Sequence, residues 1–350
     1  MSSVIVPSYA YAYVKVAFLG KLIMDKDTLE ALRGASDLEQ LMNIIAPYFP
    51  GIEIKETKIE EIEKAITQNY IKMIGKIISF SPENMREFLR DFLLQYEVSN
   101  IKHSILGSII GMRSQEKSNY INFLAEEYLD NREFIEDLIE INSLDEIQLF
   151  MRETRYNRVI REGISYFRNN NEVFVLESFL DQLYYRNLTK NYRRYEKTEK
   201  QMIGLFIKYR VELYNINMIY RGIMNNVDKK LLSQFLVDEY LFLNEELRTN
   251  LLQKDTLDTF FTLLNEFYKK EEDLKKNYKP IEKDTRHPIW ELEKLYQTYF
   301  FEKYQHRVAE IDYAAIYQIM ELLIKKEREI KFEIIPKAVD IIQQKYRILQ

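Results

Sequence analysis

The chain has 350 residues, 46% of them hydrophobic and 30% charged, yet only 9 glycines and 7 prolines, under half the usual share of about 12% for those two residues. That composition is helical: sheets need turn residues about every ten positions, and disordered chains lack this much apolar surface, so all-β, collagen-like and disordered architectures are excluded. Fifty basic against 55 acidic side chains leave a net charge of −5, the wrong sign to hold the protein on nucleic acid or an anionic membrane by bulk electrostatics, and the absence of cysteine excludes disulfides, thiol catalysis and cysteine-based metal sites.

Along the chain, the opening Met1 to Tyr9 lacks the basic start and small-residue cleavage site of a signal peptide, so export is not expected and a reducing cytosol is the default compartment. The longest uncharged runs, 1–14 and 40–52, carry prolines and fall short of the roughly 20 apolar residues that span a bilayer. Pro47 and Pro50-Gly51 punctuate the first third, and Ser81-Pro82 precedes a helix expected from near Glu83. Gly107 and Gly111 match a GxxxG packing motif, which reads as close helix packing in a soluble core. Asn169-Asn170-Asn171 separates two helices. After it, Phe179, Leu180, Leu183, Tyr184 and Leu188 follow the spacing of an amphipathic helix. The lysine-rich stretch 268–283 contains Pro280 and reads as an exposed loop, and in Asp284-Thr-Arg-His-Pro288 the proline suits a first helical turn.

Three elements recur with a period near one third of the chain. An acidic residue sits in an apolar helical run at Glu63, Asp181 and Glu293, and 31 to 36 residues later a second helix is expected to open with Glu97, Glu212 and Glu329. The first two of these carry Asn100 and Asn215 one turn on, on the same face as aliphatic residues. A serine–acidic turn at 35–39 leading to Pro47-Tyr48 is echoed at 142–146 leading to Arg155-Tyr156, with no clear copy in the last third. Three homologous all-α units follow, near 1–117, 118–235 and 236–350. A buried carboxylate or amide on such a face must be hydrogen-bonded and sets packing register more than stability; the glutamates bring too few further ligands for a metal.

In this order the motifs resemble the family formed by the C-type subunit of archaeal-type (A-type) ATP synthases and the d-type subunit of eukaryotic V-type ATPases. The resemblance is carried by Tyr9-Ala-Tyr-Ala-Tyr-Val-Lys-Val16, Leu22 to Leu32, Thr154-Arg-Tyr156, Leu180-Asp181 with Tyr184-Tyr185, Asn215-Ile216 with Arg221-Gly222, and Lys325-Lys-Glu-Arg-Glu-Ile-Lys331. It implies a three-unit funnel with a pseudo-threefold axis. The implied role is a non-catalytic central-stalk spacer on the cytoplasmic face of the membrane. Its mouth would receive the D- and F-type shaft subunits and its base would rest on the proteolipid rotor ring, with no cofactor. A free helical-repeat adaptor is the alternative. The chain departs from the family pattern at Phe332, where Asn is usual, and at Pro336, which removes a helical hydrogen bond and predicts a break or kink just before it.

The remaining signals read as structural. Arg193, Arg194 and Lys197 interleave with tyrosines as in single-strand binders, but in an acidic protein they suit an acidic protein partner better than nucleic acid. Glu126, Glu127 and Asp130 weakly resemble a magnesium–diphosphate motif and are expected to form a surface acidic turn. His103, His287 and His306 lack metal-ligand spacing, and Glu302 with His306 is expected to stabilise its own helix.

Overall fold

The computed structural model describes residues 7–52, 58–195, 197–282, 287–306 and 310–348, with the side chains of Lys197 and 345–348 left outside. Among them every regular element is helical. In chain order the α-helices are α1 (Ala10–Leu19), α2 (Lys26–Gly34), α3 (Leu38–Ile45), α4 (Ile59–Phe80), α5 (Glu83–Ile109) and α6 (Ser114–Ser118). There follow α7 (Phe123–Leu129), α8 (Arg132–Glu140), α9 (Leu144–Phe150), α10 (Asn157–Asn170), α11 (Val173–Asn191) and α12 (Lys197–Met224). The last are α13 (Lys229–Phe235), α14 (Glu245–Leu252), α15 (Leu257–Lys270), α16 (Pro288–Tyr304), α17 (Ile311–Arg328) and α18 (Ile335–Ile348).

The chain divides into two compact units, one of residues 1–93, 122–130 and 307–350, the other of 94–121 and 131–306. In the first, α1 packs on α17, and Tyr9 N–H donates to Asp312 Oδ1 at 2.8 Å. Its core joins early and late segments: Leu32, Leu41, Ile45 and Phe49 cluster with Ile62, Ile66, Ile334 and Ala338. Each large aliphatic or aromatic side chain among these contributes about 1.5–3 kcal/mol by leaving water. The second unit is built around α12, which touches α11, α13, α15 and α16. Phe206, Tyr209, Phe260, Tyr296 and Phe300 are buried there, so part of the aromatic excess fills the gaps between helices.

Capping chemistry explains where the short helices begin. Asp37 accepts from Gln40 N–H at the start of α3, Ser143 from Glu146 N–H at α9, and Thr256 from Thr259 N–H at α15, each satisfying a first-turn donor. All three sit in a cap-Leu-acid triplet, Asp37-Leu-Glu, Ser143-Leu-Asp and Thr256-Leu-Asp. The expected serine–acidic turns are therefore N-caps, and a cap of the same triplet form also occurs in the last third, at Thr256. Pro82 precedes α5, Pro288 is the first residue of α16, and Asn171 ends α10 in the left-handed region at φ 55°, as expected. Residues 271–282 are a loop, anchored by buried Leu274 and Ile281; Asp284, Thr285 and Arg286 lie outside the described residues.

Several expectations are corrected. Glu97 and Glu212 do not open helices but sit inside α5 and α12, and Glu329 follows α17 without a break. Pro336 neither stops nor separates the last helix. The chain passes from α17 through a π-helical stretch, Glu329–Ile334, into α18, and the wider turn accommodates the missing hydrogen bond of Pro336. Only the first glycine of the GxxxG motif packs closely against a neighbouring helix, α6. Gly107 lies against the stem of buried Lys117, where a Cβ would approach Cγ to 2.8 Å, whereas Gly111 ends the helix at φ 76°.

Gly75 in α4 faces the Tyr128 ring of α7, and a Cβ there would fall 2.0 Å from Cζ. Gly75→Ala is expected to cost about 1–3 kcal/mol by overpacking, and Gly75→Ala with Tyr128→Leu to recover most of it. Urea titration of the three proteins checks this; equal midpoints for both variants would refute the contact.

Candidate functional site

Three glutamates, Glu97, Glu212 and Glu329, are buried almost completely, and each is satisfied differently. Glu97 projects from α5 and accepts from Asn131 Nδ2 at 2.6 Å, from Arg155 Nη2 at 2.5 Å and from the Tyr156 hydroxyl. Burial and the Glu97 charge push the Tyr156 phenol well above its ordinary value, which keeps it protonated and donating.

Glu212 projects from α12 toward the segment before α14. Its Oε2 accepts the N–H groups of Leu241, Phe242 and Leu243 at 2.8, 2.9 and 2.9 Å. Oε1 accepts the Tyr296 hydroxyl, which also meets that of Tyr268. Burial raises the Glu212 carboxyl above its ordinary value, against the lowering effect of these donors. One turn on, Asn215 donates to Val237 C=O at 2.8 Å and accepts Val237 N–H at 2.9 Å, so one amide closes both backbone groups of a single residue.

Glu329 lies at the start of the π-helical stretch. Its Oε1 accepts Met24 N–H at 2.6 Å and its Oε2 the Lys326 ammonium at 2.8 Å. Lys326 also donates to Leu22 C=O at 2.7 Å and stands 3.8 Å from the Phe49 ring centroid and 6.0 Å from that of Tyr48. Burial lowers the lysine and raises the glutamate, outweighing their attraction in both cases.

The three nodes share a plan. Each glutamate holds backbone or side chains about 30 to 90 residues further along, or, for Glu329, near the opposite end of the chain. Beside each stands a tyrosine about one helix after a cap-Leu-acid triplet: Tyr156 on Glu97, Tyr268 linked through Tyr296 to Glu212, and Tyr48 facing Lys326. Asn215→Leu would leave a buried donor and a buried acceptor unpaired, and is expected to cost about 2–4 kcal/mol, read as a lower thermal midpoint. An unchanged midpoint would show that this amide carries no packing energy.

The other residues of the sequence pattern are placed unevenly. Asn100 is buried on α5 one turn after Glu97. Glu63, Asp181 and Glu293, which share sequence phase, are respectively exposed, half-buried and buried, and Asp181 meets Lys102 at 2.5 Å. Arg193 is used inside the fold: with Tyr192 it binds the buried Glu239 carboxylate, at 2.9 and 3.1 Å. Arg194 is exposed, and the Lys197 side chain lies outside the described residues. The expected acidic surface turn is only partly superficial, because Glu126 is buried whereas Asp130 is exposed and pairs with Arg90 at 2.8 Å. Glu302 accepts from Asn277 at 3.0 Å, and His306 follows α16 beside Gln305. Among the described residues no three His, Asp or Glu side chains gather where they could hold a metal, and no helix is long and apolar enough to cross a membrane.

The polar groups of these three nodes thus bind one another and the backbone, an arrangement that positions helices. The sequence is 21% identical over 233 residues to the C-type subunit of the A-type ATP synthase of Methanocaldococcus jannaschii, a match covering 65% of this chain and 57% of that protein. It is 22% identical to the same subunit of Methanosphaera stadtmanae, over 66% of this chain and 58% of the relative, and 22% identical to that of Pyrococcus furiosus, over 65% and 60%. The chain therefore spans somewhat under two thirds of the length of the curated relatives it matches. The family model for the ATP synthase (C/AC39) subunit matches residues 14–332; with nearly its whole length inside that match, the chain belongs to the ATP synthase (C/AC39) subunit family.

Proposed function

We propose that this protein is a non-catalytic central-stalk subunit of an archaeal-type rotary ATP synthase or ATPase. It would join the D- and F-type shaft subunits to the proteolipid rotor ring from the cytoplasmic face, as a spacer that passes torque. The observation that carries this proposal is the family match across residues 14–332. The three glutamate nodes are consistent with a load-bearing body: their polar groups are spent on internal hydrogen bonds, and the interior between them is closely packed aromatic and aliphatic side chains.

We further propose that the chain is built of three homologous units, near 1–117, 118–235 and 236–350, arranged with pseudo-threefold symmetry as a funnel. Support comes from the direction of the glutamate contacts. Glu97 of the first third holds Asn131, Arg155 and Tyr156 of the second, Glu212 of the second holds 241–243 and Tyr296 of the third, and Glu329 of the third holds Met24 of the first. Contacts that run in one sense and return to the start are those a cyclic repeat requires.

The test is recovery of the tagged protein from detergent-solubilised membranes of its own cells, with partners identified by mass. Stoichiometric recovery of shaft subunits with the proteolipid ring is expected. Recovery of the protein alone, or with partners that include no ATPase component, would overturn the proposal in favour of a free helical adaptor.

A further inference from the structure

The exposed face of α1 is apolar and cationic with no carboxylate. Tyr11, Val14 and Phe18 are 62%, 54% and 64% exposed, and at spacings of three and four they form one stripe. The opposite face of α1 is spent on the fold through buried Ala12 and Val16. Lys15 stands 5.3 Å from the Tyr11 ring centroid and Lys21 5.7 Å from that of Phe18. Residues 7–24 contain no Asp or Glu, and among the described residues neither ammonium meets a carboxylate. Beside the stripe runs a groove of about 460 Å³, whose lining includes Ala17, Gly20 and Ile23 from this segment and Leu322 from α17. The acidic groups at its rim are already engaged: Asp25 caps α2, and Glu321 pairs with Lys325 at 2.7 Å.

We propose that this face is a docking surface for an amphipathic helix of another protein, one whose apolar ridge carries flanking carboxylates. The stripe and the small residues beside it supply a ridge and a groove of helical spacing. The two lysines, held over aromatic rings and meeting no carboxylate of the described fold, supply charge that is complementary to carboxylates on the occupant. An anionic bilayer is disfavoured because α1 offers one short stripe of three side chains and only two cations, fewer than stable surface anchoring uses. The surface does not depend on the rotary-ATPase assignment.

The experiment places a photo-reactive benzoylphenylalanine at position 11, 14 or 18 of the full chain in its own cells, with Leu149, which is 67% exposed elsewhere, as the control position. Crosslinked peptides are sequenced by mass. All three positions are expected to capture one peptide with apolar residues at helical spacing and Asp or Glu beside them, and position 149 not to capture it. Lys15→Glu with Lys21→Glu should lower the yield roughly fivefold to tenfold, and Lys in place of the mapped carboxylates should restore it. Phe18→Ser, at an exposed position, should abolish capture from 11 and 14 with an unchanged circular dichroism spectrum. Crosslinks to lipid, to a second copy or within the chain would overturn the surface, as would a peptide without flanking acids or a yield indifferent to charge reversal. If shaft and ring co-purify but these positions capture nothing, the surface fails and the stalk assignment stands. If they capture an acidic helix while neither shaft nor ring co-purifies, the surface stands and the assignment fails.

Discussion

Glu212→Ala is expected to be among the most destabilising single changes in the second unit, costing about 3–5 kcal/mol, because it strands a hydroxyl and three backbone donors around an emptied site. The donors are the N–H groups of Leu241, Phe242 and Leu243 and the phenol of Tyr296. Amide exchange should rise first at 241–243, since the partner those groups lose is the carboxylate. Glu212→Gln is expected to be milder, about 1–2 kcal/mol, because its amide oxygen can take the place of Oε2 and keep the three backbone bonds. The pair also has a pH signature. The carboxyl is raised above its ordinary value of 4.5 by burial, so as pH rises the unfolded chain releases this proton before the folded chain does. The contribution is full below about 4.5 and is lost as pH rises through the folded value. Glutamine has no proton to lose, so the advantage of the wild type over Glu212→Gln should shrink as pH rises above about 4.5. Denaturant titrations of both proteins across that range check the sign; a gap that widens with pH would refute it.

The second large effect is expected at the Lys326–Glu329 pair. Lys326→Met should cost about 3–5 kcal/mol, since it leaves a buried carboxylate without its cation and frees Leu22 C=O. Lys326→Met with Glu329→Leu should recover much of that loss, because removing both charges removes both desolvation costs; Met24 N–H, which bonds Glu329 at 2.6 Å, and Leu22 C=O, which Lys326 bonds at 2.7 Å, remain the residual penalty. A double-mutant cycle on thermal or urea midpoints measures the coupling. Additive losses would show that the two side chains act independently and that the node is not one unit. Exchange at 22–24 should rise in either single variant, because those backbone groups are what the pair holds.

Local chemistry is readable in the residues. Pro82 and Pro288 mark helix starts because proline lacks the N–H that a first turn does not need, and Asn171 ends a helix because asparagine tolerates positive φ. The triplet at Thr256 is equally local, but it hides because threonine stands in for serine and its downstream tyrosine lies inside the longer α15. The glutamates are found in phase by their spacing yet are wrongly placed at helix starts. Carboxylates favour N-termini, and nothing within four residues of Glu97 or Glu212 announces that the helix began about four turns earlier. Glu126 is misjudged for a related reason: its neighbours Glu127 and Asp130 are exposed, and only the packing of α7 on α4 turns that one carboxyl inward.

Composition, 3.6-residue periodicity and motif order were enough to establish the all-helical class, the near-threefold phase of the glutamates and the family resemblance, since all of these are properties of neighbours along the chain. It took the packed molecule to reveal that Glu97, Glu212 and Glu329 are buried, which groups each one holds, that Arg193 serves Glu239, and that Pro336 is absorbed by a π-helical turn. Partners such as Tyr296 for Glu212 and Met24 for Glu329 lie far apart in sequence, and the desolvation that makes those contacts matter arises only when distant helices close over them.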